Sequence, residues 1–227
     1  MKDNWTLHPM EPILLTVNRG RAGKLQVTTT NMLDCGRMRI LVACERSGVV
    51  RDAFLRRGHD AVSCDLVASD IPGPHIVGDA LELARSEPWD MMIAFPPCTH
   101  LSVSGARWFP EKRADGRQQA GLEFVRDLMA VGIPRIAVEN PVGIISTRIR
   151  RPDQIIQPWQ FGEDASKKTC LWLDGLPPLM ASHIIIKDRY ANQTASGQNR
   201  LGPSPTRSIE RSKTYQGVAD AMAAQWG

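Results

Sequence analysis

The sequence predicts an α/β fold built on a mostly parallel central sheet, and three observations carry that expectation. From Arg39 onward, short β-like runs alternate with helix-like ones, the rhythm of βαβ units. The apolar stretch Met91–Ala94 has strand length and runs through Phe95 into Pro96 and Pro97, which present the next residues, Cys98 first, at the rim of a sheet. A length of 227 residues suffices for one buried core and a small appendage.

Residues 1–37 show no sustained periodicity and carry the polar stretch Thr28–Asn31, so they read as an N-terminal extension. Pattern begins at Met38, and 38–227 is expected to form one domain. A strand over Ile40–Cys44 precedes a helix near Val49–Arg57, a strand over Ala61–Asp65, a turn at Pro72–Pro74 and a short β piece at Ile76 and Val77. The next strand, Met91–Phe95, leads into a polar, Arg-rich loop over 102–116. A helix over Gln118–Val131 sets Leu122, Val125, Leu128 and Met129 at helical spacing and stops at Gly132 and Pro134. Strand Arg135–Val138 comes next, then Cys170–Leu173, then His183–Ile186, which is too apolar to read as a free loop. From Ala191 to Pro205 the composition turns to Asn, Gln, Ser, Gly and Pro, the mark of a loop or small insert. A helix over Gly217–Gln225, with Val218, Ala221 and Met222 on one face, closes the chain.

Composition narrows the class. No apolar run approaches the roughly 18 residues of a membrane span, and Arg19, Arg21 and Lys24 interrupt the short run Ile13–Val17 before it can serve as a signal-peptide core. A cytoplasmic protein is expected. Five cysteines at 35, 44, 64, 98 and 170, an odd number without C-x-x-C spacing, indicate neither a disulfide framework nor a zinc site. Net charge is +4 and uneven: residues 99–227 hold 17 basic and 12 acidic groups, against 11 and 12 before them. That permits a polyanionic partner without requiring one.

Chemistry concentrates at strand ends. Cys98 comes directly after the two prolines, and Glu139-Asn140-Pro141 ends a second apolar run some forty residues later, so two strands offer a thiol and a carboxylate to one crevice. A cysteine with a glutamate is a nucleophile with a proton handler. An unpaired cysteine is more often a small buried hydrophobe, but Cys98 sits in a turn, where a thiol is exposed and nearby cations depress its pKa. Cys44, Cys64 and Cys170 lie in or at the ends of β-like runs and read as core. The turn Cys44-Glu45-Arg46-Ser47-Gly48 passes from a strand into a helix and either takes a nucleotide-like anion or is an ordinary βα turn; a full G-x-G-x-x-G is absent. Asp65 stands about twenty residues on, where an acid accepts ribose hydroxyls, and Asp79 comes after the next β piece.

Taken together, the turn at 43–54, Asp65, Gly78-Asp79, Phe95-Pro96-Pro97-Cys98 with Ser102, and Glu139-Asn140-Pro141 resemble the cytosine-5 DNA methyltransferases, above all the short versions of phages and prophages. The likeness covers roughly residues 39–175 and the last helix. It implies a Rossmann-like methyltransferase fold and S-adenosylmethionine as donor, with no metal. Cys98 would attack C6 of cytosine while Glu139, beside Asn140, holds and protonates N3. The donor site would comprise Cys44, Glu45, Ser47, Gly48 and Pro96, with Asp65 on ribose and Asp79 on adenine. Pro97 and Ser102 would border the substrate. Lys167 and Lys168 stand where the family carries a basic motif; they contact phosphate, steady the base, or form a solvated surface pair.

The chain departs from the family in its reduced glycine motif, in Thr99 after the cysteine, and in the missing arginines of the basic motif. Only about thirty residues separate Leu173 from Pro203, so 174–205 is a reduced insert in place of a target-recognition domain. Specificity is then low, short in context, or supplied by a protein partner. DNA is the expected substrate, with the base flipped out. Arg107, Trp108, Lys112 and Arg113 of the 102–116 loop would close over base and backbone, unless that loop is merely a long surface segment. RNA or a free nucleotide as acceptor, and a catalytically silent nucleic-acid-binding module, stay open. A redox protein is disfavoured by the missing C-x-x-C and G-x-G-x-x-G.

Overall fold

The computed structural model describes residues 13–19, 25–31, 36–202, 204 and 207–227, in two units, Met1–Arg37 and Met38–Gly227. In the first, strands β1 (Ile13–Arg19) and β2 (Leu25–Asn31) pair antiparallel, Ile13 opposite Asn31 and Arg19 opposite Leu25. The sequence reading has no strand there. Thr28, Thr29 and Thr30 favour extended backbone through their β-branching, yet supply no apolar alternation to announce it. The rest of the expected extension, with Cys35, lies outside the described residues, as do Pro203 and Pro205 of the expected insert.

In the second unit the elements run β3 (Arg39–Ala43), α1 (Val49–Leu55), β4 (Asp60–Asp65), β5 (His75–Val77), α2 (Ala80–Ser86), β6 (Met91–Ala94), α3 (Phe109–Ala114), α4 (Arg117–Met129), β7 (Ile136–Pro141), α5 (Ile145–Arg148), β8 (Gln154–Ile156), β9 (Thr169–Asp174), α6 (Arg207–Ser212) and α7 (Gln216–Trp226). Seven strands form one mixed sheet in the order β5-β4-β3-β6-β7-β9-β8. The first five are mutually parallel, and β9 enters antiparallel between β7 and β8. The expected α/β fold with a mostly parallel sheet is met. Order reverses between β3 and β6, the switch point at which open sheets of the Rossmann-like kind form a crevice beyond their C-terminal ends.

Both faces are covered, which explains strands that are apolar throughout. Ile40 and Val42 pack with Val50, Phe54, Val218, Met222 and Trp226 of α1 and α7 on one face. Leu41 and Ala43 pack with Ala80, Ala84, Leu122, Val125 and Leu128 of α2 and α4 on the other. Burying a side chain such as Phe54 or Leu128 stabilises by about 1.5–3 kcal/mol. Arg51, fully buried on α1, ties that helix to β4 through the Ser63 hydroxyl at 3.2 Å and to the loop after β4 through the Ser69 hydroxyl at 3.3 Å and the Pro72 carbonyl at 2.9 Å. Among the described residues no helix is long and apolar enough to cross a membrane.

Three expectations need correction. The 102–116 segment is helical, a 3₁₀ turn over Val103–Trp108 running into α3. Within Val103–Ala114 the only buried side chain is Lys112, so no apolar period reveals these turns. His183–Ile186 forms no strand, only one bridge between His183 and Phe161, and Ile184 and Ile186 stay 57% and 86% exposed. Finally, β7 does not stop at Val138: its partner β9 extends the ladder past the end of β6, pairing Glu139 with Leu171, Asn140 with Cys170 and Pro141 with Thr169.

Candidate active site

Cys98 lies after β6 in a turn locked by its own carbonyl, which accepts from the Leu101 and Ser102 amides at 3.0 and 2.9 Å. That turn is stitched to the segment after β7. The Ile144 amide donates to the Leu101 carbonyl at 2.9 Å and the Val103 amide to the Val142 carbonyl at 3.1 Å. Gly143 lies so close that a Cβ there would sit 2.2 Å from the Leu101 oxygen, which excludes any larger residue. The Asn140 amide donates to the Pro96 carbonyl at 2.8 Å. The two motifs are thus joined by backbone and by one buried side chain.

Glu139 stands in β7 with its side chain 13% exposed, and the Lys167 ammonium lies 3.9 Å away. The Thr169 hydroxyl, on the adjacent antiparallel strand, donates to the Lys167 carbonyl at 3.3 Å and also favours the ionised carboxylate. Burial pushes the Glu139 proton affinity above the ordinary carboxylate value, against the pull of Lys167 and Thr169. Together with Lys167, Thr214 and Tyr215, Glu139 lines a small cleft between the β7–β9 ends and the start of α7.

The Cys98 thiol is half-buried, and burial raises its pKa, with the Glu139 charge adding to the rise and Lys167 and Arg211 opposing it. This corrects the expected exposed thiol with depressed pKa, since the thiol lies in a low-dielectric crevice beside an acid. It also brings together Cys98, Glu139 and Lys167, three residues singled out from the sequence, and adds Arg211 of α6 and Thr169. Register places Thr169 opposite Pro141, the one signal that points to it; nothing in the sequence points to Arg211.

The other wall of the crevice is different. Cys44 turns left-handed at φ 57°, and burial with the charges of Asp65, Cys64 and Asp79 pushes its thiol up to about 12. Gly48 continues the turn at φ 72°, where a Cβ would strike the Arg51 guanidinium at 2.6 Å. Glu45, 4% exposed, turns its carboxylate back to cap α1, accepting from Val50 at 2.7 Å and Arg51 at 3.2 Å. The Ser47 hydroxyl completes that arrangement by donating to Glu45 at 3.2 Å. Asp65 is half-buried and its Oδ1 accepts from Val67 at 3.2 Å. Asp79 caps α2, its Oδ1 accepting from Leu81 at 2.8 Å and Glu82 at 3.2 Å.

Several expected substrate contacts are turned to other uses. Asn140 is 1% exposed and holds the Pro96 carbonyl, so it positions the turn instead of touching a substrate. Ser102, 6% exposed, caps the 3₁₀ turn through Ser104. Lys112 is buried with its ammonium 2.5 Å from the Thr99 carbonyl, a brace for the Cys98 turn. Pro96 is buried and Pro97 exposed. Arg107 and Trp108 are exposed, the guanidinium 4.9 Å from the ring centroid; Arg113 and Lys168 are exposed as well.

No protein-family model matches the chain, and no curated protein matches it.

Proposed function

We propose that the chain is a cytosine-5 methyltransferase acting on DNA, with Cys98 as nucleophile and Glu139 as acid. The observation that carries this reading is their convergence: a thiol after β6 and a carboxylate in neighbouring β7, close enough for the Glu139 charge to raise the thiol pKa. A pyrimidine is a poor nucleophile at C5 until a thiolate adds across its ring, and that addition needs an acid beside N3.

The residues divide the work. Glu139 keeps its proton to higher pH than an ordinary carboxylate, and once protonated it no longer opposes ionisation of Cys98, leaving Lys167 and Arg211 to favour the thiolate. Attack forms the Sγ–C6 bond, N3 takes the proton from Glu139, and electron density moves to C5. S-adenosylmethionine, when bound, supplies an electrophilic methyl group to C5. Release of the C5 proton to solvent and departure of Cys98 as thiolate restore the ring, N3 returns its proton to Glu139, and the demethylated donor leaves as S-adenosylhomocysteine.

The crevice fits one end of the donor. Intramolecular bonds of Asp65 and Asp79 use Oδ1 in each case, leaving Oδ2 for a ribose hydroxyl or the adenine amino group. The α1 amides do not suit the donor carboxylate, because Glu45 already takes them. On the acceptor side, exposed Arg107 and Trp108 suit a phosphate and an unstacked base, and exposed Lys168 suits a phosphate.

The test is mass spectrometry of nucleosides from DNA of cells expressing the chain, with purified protein and labelled donor offered DNA, RNA or dCMP. Label in DNA as 5-methylcytosine is expected. Label in RNA or dCMP alone would move the assignment to those acceptors, and no label in any of them would overturn it in favour of a silent binding module.

A further inference from the structure

We propose that Asn192 is a positioning residue: its amide clamps the segment carrying Lys167 and thereby sets where that lysine stands against Glu139. The reduced insert after β9 then serves as a brace for the acid. The proposal rests on the methyltransferase assignment only in calling Glu139 the acid.

The clamp has two arms. Asn192 Oδ1 accepts from the Ser166 amide at 3.0 Å while its Nδ2 donates to the Ser166 carbonyl at 2.9 Å, so one side chain satisfies both backbone groups of the residue before Lys167. A strand partner would make the same pair of bonds. The same Nδ2 also donates to the Tyr215 hydroxyl at 3.4 Å, at the start of α7 and in the lining of the Glu139 cleft. Behind Asn192 the insert is fastened to the same strip of chain. The Ala191 amide donates to the Asp164 carboxylate at 3.1 Å, Lys187 pairs with Asp164 at 2.5 Å, and Tyr190 stacks on Trp159 at 6.2 Å between centroids. On its other side Lys167 is held by its amide, which donates to Gln157 at 2.9 Å. Removing the Asn192 amide frees one side of a segment whose next residue carries the only cation within ion-pair distance of Glu139 among the described residues.

Glu139 is faced by the Lys167 ammonium, by the Thr169 hydroxyl on β9, and by the thiols of Cys98 and Cys170. Lys167 is the group that favours its ionised form most strongly. If Lys167 drifts away, the carboxyl keeps its proton to higher pH.

The experiment tracks Glu139 directly, by carbon NMR of protein labelled at the glutamate carboxyl carbon, with Glu139→Gln assigning the resonance. In Asn192→Ala the Glu139 midpoint is expected to rise by about half a pH unit, the size of a partly exposed ion pair. Lys167→Met should reproduce that rise, and the double variant should add nothing to Lys167→Met. Asn192→Ser serves where Asn192→Ala does not fold, with a shift of the same sign. An unchanged midpoint in a folded variant, additive shifts, or failure of both variants to fold would each overturn the proposal. Absence of methyl transfer by wild-type protein, with these shifts present in the variants, would sink the assigned reaction and leave the brace standing.

Discussion

Carboxylates stand at the C-terminal ends of parallel strands on both walls of the crevice, and the two walls use them differently. On the β3–β5 wall, Glu45 and Asp79 turn back into the fold, each capping the helix next along the chain from its strand. On the β6–β7 wall, Glu139 lies in a strand that continues past it, with no helix N-terminus to cap, and faces a thiol and an ammonium. The difference comes from the backbone immediately after each acid. A helix beginning within a few residues presents unsatisfied amides that a nearby carboxylate fills. A strand whose ladder is extended by β9 presents none, so the Glu139 carboxyl is left facing Lys167 and Cys98. An acid at a strand end therefore carries functional weight only after its helix-capping bonds have been counted.

The sharpest way to break this contrast is at the nucleophile. Cys98→Ser is expected to reduce transfer of labelled methyl to DNA by at least about 10³-fold. Stability by urea unfolding should change by less than about 0.5 kcal/mol, because the side chain bonds nothing that holds the fold. Transfer within tenfold of wild type would remove the thiol from the chemistry and place both walls on the same structural footing.

Next comes the acid. Glu139→Gln is expected to lower transfer about 10²–10⁴-fold, the range of one positioned proton carrier. Its effect on stability has a definite sign. Burial raises Glu139 above the usual 4.5, so in the window from that value to the folded midpoint the native protein holds a proton that the unfolded chain has released. The favourable contribution is complete below that window and is lost as pH rises through it. Glutamine does not titrate. The stability of the variant minus that of wild type should therefore rise from acid to neutral pH, which paired urea unfolding measures; a constant value would mean that Glu139 ionises as an ordinary surface acid, and a falling one that its folded pKa is lowered.

These two residues were legible in the sequence because local signals mark them. Prolines stop β6 just before Cys98, and an apolar run delivers Glu139. The sheet was legible for a similar reason: strands buried on both faces are apolar throughout, and α4 keeps Leu122, Val125 and Leu128 at helical spacing. What stayed hidden depends on distant pairing. The strand β8 was hidden, and so was the pairing by which β9, itself legible as Cys170–Leu173, extends β7: β8 and β9 form an antiparallel pair joined across the 3₁₀ turn Pro158–Gln160, which no periodicity announces. The helices at 103–114 bury too little apolar surface in a regular order to be read. Arg211 is brought near Cys98 only by the return of the chain after the insert. The uses of Glu45, Asp79 and Asn140 are hydrogen-bond accounts, which residue types alone do not give.

The opposite wall gives the smaller effects. Glu45→Ala removes the carboxylate that accepts from Val50 and Arg51, and stability is expected to fall by about 1 kcal/mol, the usual loss of a helix cap. Transfer per folded molecule should stay within about threefold of wild type, since those bonds close a helix and touch no reacting atom. A loss of transfer comparable to that of Glu139→Gln, with stability intact, would erase the contrast between the walls.

The smallest effect is the most discriminating. Asp79 has two candidate duties, capping α2 through Oδ1 and offering Oδ2 to the donor, and Asp79→Asn separates them. Asparagine caps a helix about as well as aspartate, so thermal stability should stay within a few tenths of a kcal/mol. The lost charge, by contrast, weakens any hydrogen bond that Oδ2 accepts from an amino group, since charge-assisted bonds are roughly twice as strong as neutral ones. Donor affinity measured by calorimetry is therefore expected to fall between about threefold and tenfold with the melting curve unchanged. Equal affinity in variant and wild type would confine Asp79 to capping, and the β3–β5 wall would then contribute to the donor through Asp65 and the Cys44 turn alone. A fall in stability together with affinity would mean that the cap and the donor contact share the same oxygen, which the geometry of Oδ1, already bonded to two amides, argues against.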